Sequence, residues 1–163
     1  MPRQPDLPDL PDLPALGTTA PPFRVTDVTG APITGADLLG RPALLVFFPF
    51  AFSGVCTSEL TELSAALPQL APTRVLGISC DPTFSQAAWA REAGVAVELA
   101  SDFWPHGATA TAFGAFDESH GWAHRVSVLL DGDGVVRWRT ASPPGRPRDA
   151  AEAVAAVDGL RAP

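Results

Sequence analysis

The strongest constraint on the fold is an uninterrupted apolar run, ALLVFF at residues 43–48. A run that is apolar at every position is typical of a parallel strand buried on both faces of a sheet. A second run of this kind, VLGIS, follows at 75–79. Between the two runs, four leucines recur at spacings of three and four, the pattern of an amphipathic helix: Leu60, Leu63, Leu67 and Leu70. Buried strands that alternate with a helix predict an α/β sheet.

The same alternation continues on both sides of this unit. We predict a turn at 29–32, further strands at 23–28, 97–99, 125–130 and 135–139, and further helices at 83–93, 108–113 and 148–160. Asp81 or Thr83 would cap the helix at 83–93, and Gly94 would end it. This order predicts a layered α/β fold with a mostly parallel core and an antiparallel closing hairpin.

Composition and charge limit the partners of this chain. Its 163 residues suit one domain, and the formal net charge is −7, with all 11 basic residues being Arg. An acidic chain without a basic cluster is a poor partner for nucleic acid and for anionic membrane surfaces. No apolar run approaches the ~20 residues that span a bilayer, and no segment reads as a secretory signal. We therefore expect a cytoplasmic protein that binds neither nucleic acid nor membranes.

No metal site is indicated by the pattern of ligand residues. Two cysteines, Cys56 and Cys80, are too few for a disulfide scaffold or a four-ligand zinc site. His120 and His124 are four residues apart, but no third ligand accompanies them. The DGDG segment at 131–134 predicts a hairpin turn. A calcium loop is not indicated, because the bidentate Glu that such a loop needs is missing.

The first residues form a separate, Pro-rich segment. The triplet PDL occurs three times between Pro5 and Pro14. A Pro at every third position favours an extended polyproline II conformation and excludes a helix. We expect a flexible N-terminal arm at 1–16, ahead of a folded domain at 17–163. The alternative is a docking segment that lays one face on a partner subunit, formed by Leu7, Leu10 and Leu13.

Cys56 is the residue with the clearest chemical potential. It lies just after a buried strand and at the start of the Leu-patterned helix. A sulfur in this position faces the positive end of the helix dipole and unpaired backbone N–H groups. Both favour the thiolate, which is the nucleophilic form of cysteine. The competing interpretation is a small buried hydrophobe.

The residues before Cys56 favour the chemical interpretation. They place Pro49, Ser53 and Cys56 at the spacing Pro-x-x-x-Ser-x-x-Cys. Here the sequence resembles the peroxiredoxin family (AhpC/TSA type), whose signature is Pro-x-x-x-Thr/Ser-x-x-Cys. The resemblance extends from about Phe23 to the C-terminal helix and includes LLVFFPFAFSGVCTSEL, SDFWPHGATATAFGAFDE and HRVSVLLDGDGVVRW. It is closest to the bacterial AhpE-like, one-cysteine subgroup.

This resemblance implies a fold and an activity. The fold would be thioredoxin-like, with a mixed, mostly parallel central sheet flanked by helices. The activity would be that of a thiol-dependent peroxidase without a cofactor, reducing hydrogen peroxide and organic hydroperoxides. The family commonly dimerises through surfaces near the active site, so a homodimer is expected.

Each matching position has a role implied by the resemblance. Cys56 would attack the peroxide and become a sulfenic acid. Ser53 would present its hydroxyl to the sulfur and the peroxide, and Pro49 would shield the sulfenic acid from water. The N–H groups of Val55 and Cys56 would polarise the peroxide. Arg125 would favour the thiolate and hydrogen-bond the peroxide.

For each of two further residues, two roles remain open. Glu59 either orients Arg125 or only stabilises the first helical turn as an anion. Cys80 either resolves the sulfenic acid as an intramolecular disulfide or is an inert buried cysteine, and we favour the second. An external low-molecular-weight thiol or a small redoxin would then be the reductant.

Two other classes of function compete with the peroxidase. One is a non-catalytic redox-sensing module, in which oxidation of Cys56 switches a partner interaction. Such a sensor does not need the activating positions Ser53 and Arg125. The other is a disulfide oxidoreductase, but this class requires a Cys-x-x-Cys pair, and Ser53 stands where the first cysteine would be.

Overall fold

The computed structural model describes residue 10 and residues 12–163. The strands are β1 (Arg24–Asp27), β2 (Pro32–Thr34), β3 (Ala43–Phe47), β4 (Arg74–Ser79), β5 (Glu98–Ser101), β6 (Phe116–Asp117), β7 (Trp122–Ala123), β8 (Arg125–Leu130) and β9 (Val136–Ser142). The helices are α1 (Gly54–Leu70), α2 (Thr83–Ala93), α3 (Ala108–Ala112) and α4 (Ala150–Arg161). A 3₁₀ turn covers Gly35–Leu38.

Seven strands form one mixed sheet in the order β2-β1-β5-β4-β3-β8-β9. The central strands β5, β4 and β3 are parallel, and the remaining pairs are antiparallel. The predicted hairpin at 131–134 joins β8 to β9. Because parallel strands share one carboxyl edge, the loops that follow β3, β4 and β5 meet there. The α/β fold with a parallel core is confirmed.

The uninterrupted apolar run is explained by β3 lying at the centre of two cores. Its side chains alternate, so that Leu44 and Val46 face one hydrophobic cluster and Leu45 and Phe47 face the other. Both faces are covered, and no polar residue fits at any position of the strand. Each such buried side chain contributes about 1.5–3 kcal/mol relative to exposure.

Helices cover both faces of the sheet. On one face α1, α2 and α4 supply Leu60, Trp89 and Val157 to the cluster that also contains Cys56. On the other face α3 and the residue after it supply Ala110 and Phe113. The helix that carries Cys56 is therefore fixed against the centre of the sheet.

Apart from shifts of a few residues at element ends, the described elements differ from the predicted ones in three places. Strand β2 begins at Pro32, inside the predicted turn, and the small hairpin of β6 and β7 was not predicted. Strands of two or three residues are too short to show a periodicity. The predicted N-cap of α2 was wrong: Pro82 holds that position without a side-chain bond, and the Asp81 carboxylate accepts from the N–H of Ala51 instead. Gly94 ends α2 in the left-handed conformation, as predicted.

The described part of the N-terminal arm lies on the body of the protein. Leu10 and Leu13 pack against the cluster on the α3 face. Arg139 donates to the carbonyl groups of Leu13 and Pro14 at 2.6 and 2.8 Å. The predicted docking of Leu7 lies outside the described residues, and the boundary at residue 16 stays a prediction. Within the described residues, no helix is long and apolar enough to cross a membrane.

Candidate active site

The loop after β3 delivers Cys56 to the start of α1. Ser53 is the N-cap of the helix, with extended backbone, and its Oγ accepts from the N–H of Cys56 at 3.2 Å. Phe52 just before it has a φ of 67°, the one positive value among the described non-glycine residues. This turn places Cys56 in the first helical turn, facing the core instead of the solvent. Its side chain is fully buried.

Arg125 reaches Cys56 from the neighbouring strand. It opens β8, which runs antiparallel to β3, and its Nη2 lies 3.3 Å from the Sγ of Cys56. The side chain of Arg125 is only 5% exposed, so it is not a surface cation. A permanent positive charge at hydrogen-bond distance stabilises a thiolate over a thiol.

Glu59 holds this arginine in place. Its Oε1 accepts from Nη1 of Arg125 at 3.2 Å and from Nη2 of Arg148 at 2.5 Å. Its Oε2 accepts from the backbone N–H and the Nε of Arg148 at 2.6 and 3.0 Å. Burial by itself would raise the pKa of Glu59, but the hydrogen bonds and charge of Arg148, with the charge of Arg125, outweigh it and hold the pKa below its usual range. The carboxylate therefore stays ionised between two guanidinium groups.

Arg148 is the member of this network that sequence reasoning missed. It lies two residues before α4, and its Nη1 also donates to the Oγ of Ser127 at 3.1 Å. Arg148 is separated from Glu59 by 89 residues, so no local spacing signals the contact. It appears only when α4 packs beside α1.

An open pocket of about 290 Å³ leads from the surface to this network. Its wall contains four of the predicted site residues: Pro49, Ser53, Val55 and Arg125. Aromatic rings of Phe50 and Trp122 meet at the rim with centroids 4.8 Å apart.

The hydrogen-bond donors at the start of α1 differ in their partners. The N–H of Cys56 is used by Ser53, whereas the N–H of Val55 has no hydrogen-bond partner among the described residues. The hydroxyl proton of Ser53 is likewise not donated to any described acceptor. The arrangement can hold an anionic sulfur and offer donors to an oxygen bound beside it.

Cys80 lies in a different environment. It follows β4 and is buried, and the N–H groups that approach its sulfur belong to Gly107 and Ala123, beside α3 and in β7. Burial, together with the charges of Asp102 and Asp81, raises the pKa of Cys80 to about 12. At neutral pH this sulfur is a thiol.

His120 and His124, which the sequence places four residues apart, contact different neighbours. The Nδ1 of His120 lies 2.8 Å from Asp117, and its ring stacks on Trp122. His124 lines the pocket beside Arg125. In the part of the chain that is described, no three His, Cys, Asp or Glu side chains are grouped as a metal site would require.

Comparison with known proteins identifies the family. A sequence model of the AhpC/TSA family matches residues 16–139. The chain belongs to the AhpC/TSA family, the peroxiredoxins. Alkyl hydroperoxide reductase E of Mycobacterium tuberculosis is 39% identical over 137 residues, which cover 82% of this chain and 90% of that protein. Bovine peroxiredoxin-2 is 31% identical over 150 residues, covering 83% of this chain and 74% of that protein.

Solved structures agree with this family. The crystal structure of the peroxidoxin BcpB from Mycobacterium tuberculosis superposes with a TM-score of 0.80 at 28% identity, covering 90% of this chain and 98% of that one. The peroxiredoxin has a thioredoxin-like fold and is a thiol-dependent peroxidase. The predicted family, fold and class of enzyme are confirmed.

Proposed function

We propose that this peroxiredoxin reduces hydrogen peroxide and organic hydroperoxides through a sulfenic acid on Cys56. The observation that carries the proposal is the contact of 3.3 Å between the buried sulfur of Cys56 and Arg125, a residue that lines an open pocket. A buried cation beside a thiolate serves a reaction in which the sulfur is the nucleophile.

The first step transfers one oxygen atom to sulfur. The thiolate of Cys56 attacks the distal peroxide oxygen, an S–O bond forms, and the O–O bond breaks. The leaving oxygen takes the electron pair and a proton, and departs as water or an alcohol. The hydroxyl of Ser53, the N–H of Val55 and the guanidinium of Arg125 supply donors for the charge that develops on the leaving oxygen. Pro49, in the pocket wall, shields the sulfenic acid from water.

The second half of the cycle uses an external reductant. A low-molecular-weight thiol or the thiol of a small redoxin attacks the sulfenic sulfur, releases water and leaves a mixed disulfide on Cys56. A second thiol then restores the Cys56 thiolate and leaves with the first as a disulfide. Cys80 stays outside this cycle, because burial keeps it a thiol. A reducing compartment such as the cytoplasm suits an enzyme with two free cysteines.

The rim of the pocket suits an organic peroxide as well as hydrogen peroxide. Phe50, Trp122 and Pro144 present apolar surface beside the donors at the base. A substituent on the leaving oxygen would lie against these side chains and bury apolar area. The name of the mycobacterial relative, an alkyl hydroperoxide reductase, agrees with this substrate class.

A homodimer is proposed across the edge of the sheet where the site lies. Large aromatic side chains are exposed in the loops after β3 and β5 and at the start of α2: Phe52, Phe103, Trp104 and Phe84. Trp104 is 83% exposed. Exposed aromatics at a single edge are typical of a protein interface. Sedimentation of Trp104→Glu beside the unmodified protein tests the proposal, with a monomer expected for the variant.

Stopped-flow fluorescence of the reduced protein with substoichiometric peroxide tests the peroxidase mechanism. The Nε1 of the buried Trp89 donates to the Oγ1 of Thr57, next to Cys56, at 3.0 Å, so this indole is placed to report on the sulfur. We expect a rapid change that is absent in Cys56→Ser and retained in Cys80→Ser. A rate no faster than that of a free thiolate would favour the redox-sensing alternative.

A further inference from the structure

We propose that Asp81 is a positioning residue that anchors the active-site loop. The proposal rests on the role of Cys56 proposed above. The Oδ2 of Asp81 accepts from the backbone N–H of Ala51 at 2.8 Å, across from the end of β4 to the loop after β3. In the described chain this is the one hydrogen bond that joins residues 49–53 to anything other than the start of α1.

The anchored segment carries two residues of the candidate site, both of which line its pocket. Pro49 lies two residues before Ala51, and Ser53 lies two residues after it. Between Ala51 and Ser53, Phe52 adopts a left-handed backbone conformation with a φ of 67°. A non-glycine residue keeps such a conformation only when its surroundings hold it there. The bond to Ala51 restrains Phe52 on one side, and the bonds from the start of α1 to Ser53 restrain it on the other.

Asp81 is itself held by a buried relay of polar side chains. Its Oδ2 also accepts from the Oγ of Ser79 at 2.7 Å. The Oγ of Ser79 in turn accepts from the Nε2 of Gln86 in α2, at 2.9 Å. Ser79 and Gln86 are both fully buried. A carboxylate fixed by such partners offers the loop a rigid acceptor, because neither neighbour is free to rotate.

Loss of the anchor should act on the chemistry of Cys56. Without the acceptor, the Phe52 conformation can relax and carry Ser53 away from the first turn of α1. The cap that Ser53 Oγ provides for the N–H of Cys56 would then be lost, and the first turn of α1 would be held less firmly. We expect slower peroxide reduction and slower alkylation of Cys56, with the guanidinium of Arg125 still in place.

The test compares Asp81→Ala with Asp81→Asn, both in a Cys80→Ser background. The amide oxygen of Asn can accept from Ala51 and Ser79 as Oδ2 does, so this variant keeps the anchor without the charge. The rate constant with hydrogen peroxide and the pH dependence of Cys56 alkylation by iodoacetamide are measured. We expect a loss of roughly tenfold or more in peroxide rate for Ala, the usual range for a bond to a charged acceptor, and recovery to within about threefold for Asn.

A matched control separates positioning from general destabilisation. Asp27 also fixes a turn by accepting from backbone N–H groups, those of Thr29 at 2.8 Å and Ala31 at 2.9 Å, in the connection between β1 and β2. Asp27→Ala should leave both the peroxide rate constant and the rate of Cys56 alkylation unchanged. Should Asp81→Ala fail to fold, Ser79→Ala removes the support of Asp81 and is expected to lower the peroxide rate in the same direction.

Three results for the peroxide rate would overturn the proposal. They are a wild-type rate in Asp81→Ala, an equal loss in Asp81→Asn and Asp81→Ala, or an equal loss in Asp27→Ala. Alkylation needs no peroxide, so it tests the anchor independently of the peroxidase mechanism. A slow peroxide reaction of the unmodified protein would contradict the proposed function, whereas unaltered alkylation in Asp81→Ala would contradict the anchor.

Discussion

The guanidinium of Arg125 donates to the sulfur of Cys56 across 3.3 Å, although 69 residues separate them in the chain. The second terminal nitrogen of Arg125 lies 3.2 Å from Glu59. One planar side chain thus contacts both the sulfur of Cys56 and the carboxylate of Glu59. Arg has the fixed, forked geometry that this double contact requires, and Lys does not.

Replacement of Arg125 tests whether the fork or only the charge is needed. Arg125→Gln should lower the peroxide rate constant by roughly 10–100-fold, the range for a hydrogen bond that involves a charged group. The peroxide rate constant of Arg125→Lys should lie between those of Arg125→Gln and the unmodified protein, because one ammonium group cannot contact both Cys56 and Glu59. Stopped-flow measurement gives the rates. Arg137→Gln, which removes an exposed ion pair, is the control and should react at the wild-type rate.

The low pKa of Glu59 predicts an acid-sensitive stability. A carboxyl whose pKa is lowered on folding stabilises the native state above its ordinary value of 4.5, and this stability is lost as the pH falls through the lowered pKa. Glu59→Gln leaves two buried guanidinium groups without their counter-ion and should cost about 3–5 kcal/mol at pH 7. The difference in the free energy of unfolding between the unmodified protein and Glu59→Gln should narrow below pH 4.5. Urea unfolding at several pH values measures it, and a gap independent of pH would contradict the prediction.

The chemistry of Cys80 predicts a single reactive thiol. Since burial raises the pKa of Cys80 to about 12, iodoacetamide at pH 8 should modify Cys56 in the native protein and leave Cys80 free. Oxidation with one equivalent of peroxide should give no internal disulfide, and Cys80→Ala should keep the wild-type rate. A peptide that links Cys56 to Cys80 after non-reducing digestion would restore the alternative in which Cys80 is the resolving cysteine.

The contact of the N-terminal arm with Gly114 predicts a coupled loss of stability. Gly114 has a φ of 65°, and a Cβ there would lie 2.4 Å from the backbone of Asp12. Gly114→Ala should cost about 1–3 kcal/mol from backbone strain alone, and more from displacement of the arm. In a protein that lacks residues 1–14, the cost of displacing the arm should vanish, whereas the cost of backbone strain at Gly114 should remain. Urea unfolding of the four proteins gives the coupling free energy.

The control for this cycle is Gly30→Ala. Gly30 has a φ of 90°, but nothing lies within 4 Å of the added methyl group. The loss of unfolding free energy in Gly30→Ala should be the same with and without residues 1–14. Absence of coupling at Gly114 would mean that the arm does not rest there in solution. Sedimentation of the deleted protein also tests docking on a partner subunit, for which a smaller assembly is expected.

Local sequence patterns were sufficient to predict the elements that carry the candidate site. The apolar run of β3 and the leucine spacing of α1 reflect the burial of particular faces, which periodicity records directly. The signature from Pro49 to Cys56 lies within one loop and one helical turn, so its geometry follows from a few backbone conformations. The family resemblance added Arg125, which no spacing near Cys56 would have indicated.

The alternation of strands and helices, the family and the cysteine at the start of α1 could all be predicted from the order of the residues. The side chains that hold that cysteine in place became known only from the packing of the folded chain. Arg148 meets Glu59 because α4 packs beside α1, and Asp81 meets Ala51 because β4 lies next to β3. The physical reason is that periodicity depends on which face of an element is buried, whereas a contact between distant polar groups depends on how whole elements pack.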